Sequence, residues 1–145
     1  MMHRNVGEIV TDKTVVHLDP ADNVRAAAKE MRAAHVASVV VTDRGADHLE
    51  GIFTERDLTD RVVAMGLDPD STPLAAVMTP CPVTVDRKTS VRDALRCMYE
   101  NRLRHLPIVE DGKVVGVLSM RDFVGEELAI MEREQELVES LTEVM

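Results

Sequence analysis

Gly51-Ile52-Phe53-Thr54-Glu55-Arg56-Asp57 returns further along the chain as Gly116-Val117-Leu118-Ser119-Met120-Arg121-Asp122. Each copy reads as the end of a buried strand running straight into a helix. Glycine opens it, bulky apolar residues follow, Thr or Ser takes the N-cap position, and Arg-Asp falls in the first turn. A helix N-terminus offers unpaired N–H groups and the positive end of a dipole, so it can hold an anion. A hydroxyl, a guanidinium and a carboxylate gathered there can hold phosphate through the first two and sugar hydroxyls through the third. One copy alone is read more simply as a cap, with Asp57 or Asp122 complementing the dipole. Two copies in matching context favour a binding role.

The flanking sequence repeats as well. Val6, Ile9 and Val10 suit one or two helical turns, and Val15 to Leu18 reads as a short strand closed by Asp19-Pro20. Asp22 or Asn23 caps a helix with Val24, Ala27, Ala28 and Met31 on one face. Val36 to Val41 and Leu49 to Phe53 are strands, and the helix after Asp57 buries Leu58, Val62 and Met65 before stopping at Gly66. After a Pro- and Asp-rich linker the order returns. Leu74, Val77 and Met78 repeat the opening turn, Val83 to Val85 the strand, and Val91, Ala94, Leu95 and Met98 the helix face. Leu106 to Val109 and Val114 to Leu118 repeat the strand pair. At an offset of 67, Val16, Asp19, Val24, Arg25, Ala27, Met31 and Gly45 meet Val83, Asp86, Val91, Arg92, Ala94, Met98 and Gly112. Two extra residues in the first hairpin loop bring the opening motifs to an offset of 65.

These patterns predict a mixed α/β (α+β) fold of two tandem β-α-β-β-α repeats. The expected bounds are 6–66 and 74–125, with a linker at 67–73 and an amphipathic helix at 126–145. Each repeat is too small to bury both faces of its sheet, so the two are expected to pack on one another about a pseudo-two-fold axis.

Composition narrows the function. Hydrophobic residues make up 45% of the 145 and aromatics 2%, which leaves little stacking surface for single strands. A net charge of −9 opposes nucleic-acid binding. Most of it, −6, lies beyond residue 125, so the body carries −3 and can accept an anion. Cys81 and Cys97 fit no metal spacing or disulfide framework, and the histidines fit no metal site. Neither an h-region after Met1-Met2-His3-Arg4-Asn5 nor a membrane-spanning run is present, and the expectation is a cytoplasmic protein. No nucleophile elbow, Walker A loop or metal triad is found, and no catalysis is expected.

The tandem β-α-β-β-α unit ending in Gly-apolar-apolar-Ser/Thr-x-Arg-Asp resembles the CBS domain pair, or Bateman module, over roughly residues 6–125. In particular it resembles the small stand-alone bacterial CBS-pair proteins that end in an extra helix. The resemblance implies adenine nucleotide ligands (AMP, ADP, ATP or NAD) in the clefts between repeats, with no metal required. Carried over position by position, one cleft takes Asp122 for ribose and Ser119, Arg121, Arg104 and His105 for phosphate, with Pro107 completing that basic-apolar-Pro element. Its adenine wall comes from Thr11, Thr14, Val16, Val36, Ala37 and Ser38. The other takes Asp57, Thr54 and Arg56, with Thr79, Pro82, Val83 and the backbone from Leu103 to Pro107. Because Ala37-Ser38 lacks the basic pair of Arg104-His105, the resemblance places the fuller phosphate site with Asp122.

Leu128, Met131, Val138, Leu141 and Met145 form an apolar stripe on the acidic tail, which must pack on its own module or on a partner. The family commonly dimerises through helices, which implies a homodimer, with Leu58, Val62, Phe123 and Leu128 as candidate interface residues. The expected function is a regulatory sensor that signals to an unknown effector protein through conformational or dimer change. The alternative is a ligand-free interaction scaffold of the same fold.

Overall fold

The computed structural model describes residues 5–9, 15–43, 48–80 and 83–123, together with Arg133, Glu136 and Leu137. Helix α1 (Val6–Ile9) and strand β1 (His17–Leu18) lead into α2 (Val24–Ala34), β2 (Ser38–Asp43) and β3 (His48–Thr54). A helical turn α3 (Glu55–Asp57) continues over Leu58–Val63 with the wider i→i+5 winding of a π-helix, Ala64 N donating to Thr59 O at 2.9 Å. Then come α4 (Leu74–Val77), β4 (Thr79–Pro80), α5 (Val91–Asn101), β5 (His105–Glu110), β6 (Lys113–Ser119) and a 3₁₀ turn at Met120–Asp122. The mixed helix and sheet content agrees with the expected α/β class.

The two halves repeat one another register for register. β2 and β3 pair antiparallel from Ser38↔Thr54 to Asp43↔His48, and β5 and β6 from His105↔Ser119 to Glu110↔Lys113. Each ladder carries an irregularity at the same place, Val41/Thr42 and Ile108/Val109. The second hairpin closes on Asp111-Gly112, whose φ angles of 52° and 78° are those of a type I′ turn. Each long helix has a side-chain N-cap, and for the first it is one of the two residues expected. Asn23 Oδ1 accepts from Ala26 N at 2.8 Å, and Ser90 Oγ accepts from Asp93 N at 3.0 Å. Both helices end on a left-handed residue, His35 and Arg102, that turns the chain into the next strand.

Two hydrophobic cores result, and each borrows its lid from the other half. Val24, Ala27, Met31, Val39, Val41, Phe53 and Val62 pack with Leu74 and Val77 of α4. Val91, Ala94, Leu95, Met98, Leu106, Ile108, Leu118 and Phe123 pack with Val6 of α1. Val6 N donates to Thr89 O at 2.9 Å and Gly7 N to Arg87 O at 3.1 Å, which fixes α1 on the second half. β4 pairs with β3 in turn, so the sheet of the first half has the order β1-β2-β3-β4. The opening turns of the repeats are thus exchanged. The 67–73 segment is also tied down, since Thr72 O and Pro69 O accept from Val24 N and Arg25 N, the unpaired donors at the start of α2.

Some expected elements differ. Val83 to Val85 does not form a strand but a single parallel bridge, Val85↔Ile108. Its counterpart β1 is held partly by Val40 N donating to Val16 O at 2.9 Å. Pro107 stands at the place of Val40 and has no N–H to donate, so pairing shrinks to Val85. Met65 is 70% exposed rather than buried, because the chain has left the core by then. Val62 and Phe123 lie inside their own cores, so neither is available as an interface residue, whereas Leu58 is half-buried and keeps a face on a surface groove with Met31 and His35. Leu128 and the apolar stripe of the tail lie outside the described residues. Among the described residues no helix is long and apolar enough to cross a membrane.

Candidate functional site

Strand alternation decides which motif residues face the clefts. In β3, Phe53 enters the core while Ile52 and Thr54 face a cavity of about 750 Å³. In β6, Leu118 enters the core while Val117 and Ser119 face a cavity of about 400 Å³. Each cavity is closed by the start of the middle strand of the opposite half. The larger one takes Arg102, Leu103, Arg104 and His105, and the smaller takes His35, Val36, Ala37 and Ser38. A third groove of about 540 Å³, lined among others by Arg56, Arg104, His105 and Ser119, lies where the two meet.

The motif acids are built the same way in both halves. Thr54 N donates to Asp57 Oδ2 at 3.0 Å, and Asp57 N donates to Thr54 Oγ1 at 3.2 Å. This reciprocal capping box fixes the carboxylate at the helix start. Ser119 N donates to Asp122 Oδ2 at 2.6 Å, and its Oγ lies 3.3 Å from the same oxygen. Asp57 is only 8% exposed, yet it lines the larger cavity. Burial pushes its carboxyl above the ordinary carboxylate range, while the Thr54 N–H and the Arg61 guanidinium oppose the shift. An Oδ1 left outside the cap and a poorly hydrated carboxylate suit acceptance of sugar hydroxyls.

The smaller cavity collects Val16, Val36, Ala37, Ser38, His105 and Ser119 from the residues expected there. The larger collects Thr54, Arg56, Asp57, Thr79 and Leu103. The placement of Arg104 departs from expectation. It lines the Asp57 cavity and the central groove, while His105 lines all three spaces. The reason is geometric: Arg104 directly precedes β5, and the segment leading into that strand closes the Asp57 cavity. Asp122 is half-buried behind its cap, and Ser119 and Val117 supply the cavity surface there. Pro107 is buried in β5 and Val83 is 40% exposed, and neither lines any of these three spaces. Thr11, Thr14, Pro82 and the Arg121 side chain lie outside the described residues. Ile52, Met98, Tyr99, Arg102 and Met120 in one cavity, and His35, Val40 and Val117 in the other, were not expected. The repeat offset pairs His35 with Arg102, and period-2 alternation marks Ile52 and Val117; both signals were available in the sequence. Cys97 is half-buried, and burial pushes its thiol up, away from the reactive range.

Comparison with known proteins matches two stretches, 6–64 and 74–128, to the family model of the CBS domain. A CBS domain-containing protein of Arabidopsis thaliana, CBSCBSPB3, is 33% identical over 94% of this chain, which spans 25% of that protein's length. Among solved structures, the CBS domain protein PAE2072 from Pyrobaculum aerophilum, complexed with AMP, superposes with a TM-score of 0.78 at 29% identity. That match covers 89% of this chain and 98% of the other. A hexameric CBS-CP12 protein from bloom-forming cyanobacteria superposes with a TM-score of 0.77 at 27% identity, covering 84% and 67%.

Proposed function

The chain belongs to the CBS domain family, and from that premise we propose that it is a non-enzymatic regulatory module binding adenine nucleotides (AMP, ADP, ATP or NAD) between its repeats. The observation that carries the reading is the pair of capping boxes, Thr54–Asp57 and Ser119–Asp122, each at a cavity walled by the other repeat. A carboxylate held by its own backbone is pre-organised to accept ribose hydroxyls, and the apolar wall from Ile52, Met98 and Leu103 suits a purine face. Phosphate would lie toward the central groove, which Arg56 and Arg104 both line. The AMP held by the Pyrobaculum relative supports this ligand class. Nucleotide contacting both halves favours one relation between them, and so alters a surface that an effector protein reads. Assembly into a homo-oligomer is part of the proposal, in keeping with the hexameric cyanobacterial relative.

The second reading is a ligand-free scaffold, and the same boxes favour it to this extent: as caps they already have structural work. Mass spectrometry of small molecules released from denatured protein, with melting curves in each nucleotide, decides between them. Ligand at about a hundred times its dissociation constant adds roughly 2.7 kcal/mol of stability. No released nucleotide and no melting shift at millimolar AMP, ADP, ATP or NAD would leave the scaffold.

A further inference from the structure

Arg61 lies one turn beyond Asp57 and joins two parts of the same cleft that are distant in sequence. Its Nε is 3.6 Å from Asp57 Oδ1, the oxygen not used by the capping box. Its Nη1 donates to Met78 O at 3.1 Å and to Val77 O at 3.4 Å. Those carbonyls stand at the C-terminal end of α4, where helical carbonyls lack partners. The next residue, Thr79, lines the Asp57 cavity and pairs with Ile52 in the sheet. Gly51 presses on the same point from the strand side. A Cβ there would meet Thr79 O at 2.6 Å and Met78 Sδ at 2.8 Å.

We propose that Arg61 is a positioning residue of the Asp57 cleft, setting the Asp57 carboxylate relative to Thr79 by bridging the carboxylate to the carbonyls that precede Thr79. The proposal rests on the nucleotide reading of that cleft. The Arg61 side chain is 49% exposed, so its ion pair is screened and adds little to folding. Its value lies in geometry. A guanidinium presents several donors in a fixed fork, and a lysine ammonium cannot span both partners in the same way. At the motif offset, Glu126 stands in the place of Arg61, so this cation belongs to one repeat only. A nucleotide hydroxyl arriving at Oδ1 would share that oxygen with Arg61, which couples occupancy to the segment joining the repeats.

The test uses Arg61→Gln and Arg61→Lys in the full chain, with AMP titrated by calorimetry and the Asp57 carboxyl followed by carbon NMR in the ligand-free protein. Arg61→Gln is expected to raise the Asp57 titration and to weaken the binding event that Asp57→Ala removes by roughly three- to tenfold, the range of a lost hydrogen bond. Arg61→Lys should restore the titration, because charge is kept, without restoring the affinity. AMP binding in Arg61→Gln equal to wild type overturns the role while leaving the nucleotide reading intact. A wild-type chain that takes up none of AMP, ADP, ATP or NAD overturns both. Unfolding of both variants at temperatures where wild type is folded also overturns it, because Arg61 would then serve the fold.

Discussion

In the Asp57 cleft the opposite wall begins Arg102-Leu103-Arg104-His105, and in the Ser119 cleft the same wall begins His35-Val36-Ala37-Ser38. The residues are related by the offset of 67, stand at the same register positions, and follow helices that end on the same left-handed turn. Their neighbours on the core face match in kind: Val39 and Val41 on one side, Leu106 and Ile108 on the other. Packing demands an apolar group of about the right size at each core position, whereas a residue at a cavity mouth is under no such demand. Duplication has therefore kept two cores alike and left two clefts electrostatically distinct. One holds Arg56, Arg102 and Arg104 around an acid that lines the cavity. The described wall of the other carries His35 and His105, with its acid set behind Ser119.

The largest expected effect follows from that asymmetry. Asp57→Ala removes a charge-assisted hydrogen bond to a sugar hydroxyl, worth about 1.5–3 kcal/mol, or roughly ten- to more than a hundredfold in affinity. With the arginines on its side, the Asp57 cleft is expected to supply the tighter of two events in AMP calorimetry, and Asp57→Ala should abolish it. Asp122→Ala should act on the weaker event. The reverse result would mean that charge around the cavities does not rank them.

Much of this arrangement is legible in the sequence. The duplicated motif marks the strand–turn–helix units, and the offsets of 67 for the first strand and 65 for the second reproduce the register of both hairpins. The core lists follow from the helical spacing of Val24, Ala27 and Met31 and from their copies. What the sequence hid is long-range. Nothing local tells that Val6 packs on the second half or that Leu74 closes the first, because a four-residue apolar turn fits either core. Nor does local pattern say which cavity receives Arg104. That depends on how β5 meets β3 across the interface, and expectation placed the basic pair with Asp122. The loss of the strand at Val83 was derivable in principle from Pro107, which lacks the N–H that Val40 donates.

Acidity offers a sharper instrument, with an effect of up to about tenfold per pH unit over the titration window, since one proton is exchanged. Burial raises the Asp57 carboxyl in the folded, ligand-free chain. Ionised Asp57 therefore costs stability at neutral pH, and that cost is relieved as pH falls through the raised folded value. Binding should run the other way. Sugar hydroxyls donate to the ionised form and lower its pKa in the complex. Affinity at the Asp57 cleft is then flat above the raised free value and falls as pH drops from there toward the lower value of the complex. Calorimetry between neutral and mildly acid pH should find this slope in wild type and lose it in Asp57→Asn. A slope that persists in Asp57→Asn belongs to another group.

The smallest expected effect tests where phosphate lies. Arg104 is exposed at the mouth of the Asp57 cavity and on the central groove, so its contact with phosphate is screened. Exposed ion pairs contribute about 0.2–1 kcal/mol, and Arg104→Ala should weaken ATP binding by roughly 1.5- to fivefold. Adenosine has no phosphate and should bind the variant as it binds wild type. Salt supplies the control, because higher ionic strength should weaken ATP in wild type and narrow its difference from Arg104→Ala. The comparison of clefts is then sharpened by asking which event moves. If Arg104→Ala acts on the event that Asp57→Ala removes, the guanidinium serves the cavity it lines. If it acts on the event that Asp57→Ala leaves, it reaches across the central groove to a phosphate held beside Ser119. In that case the basic pair belongs to the Ser119 ligand after all. Equal losses for ATP and adenosine would place Arg104 outside phosphate recognition altogether.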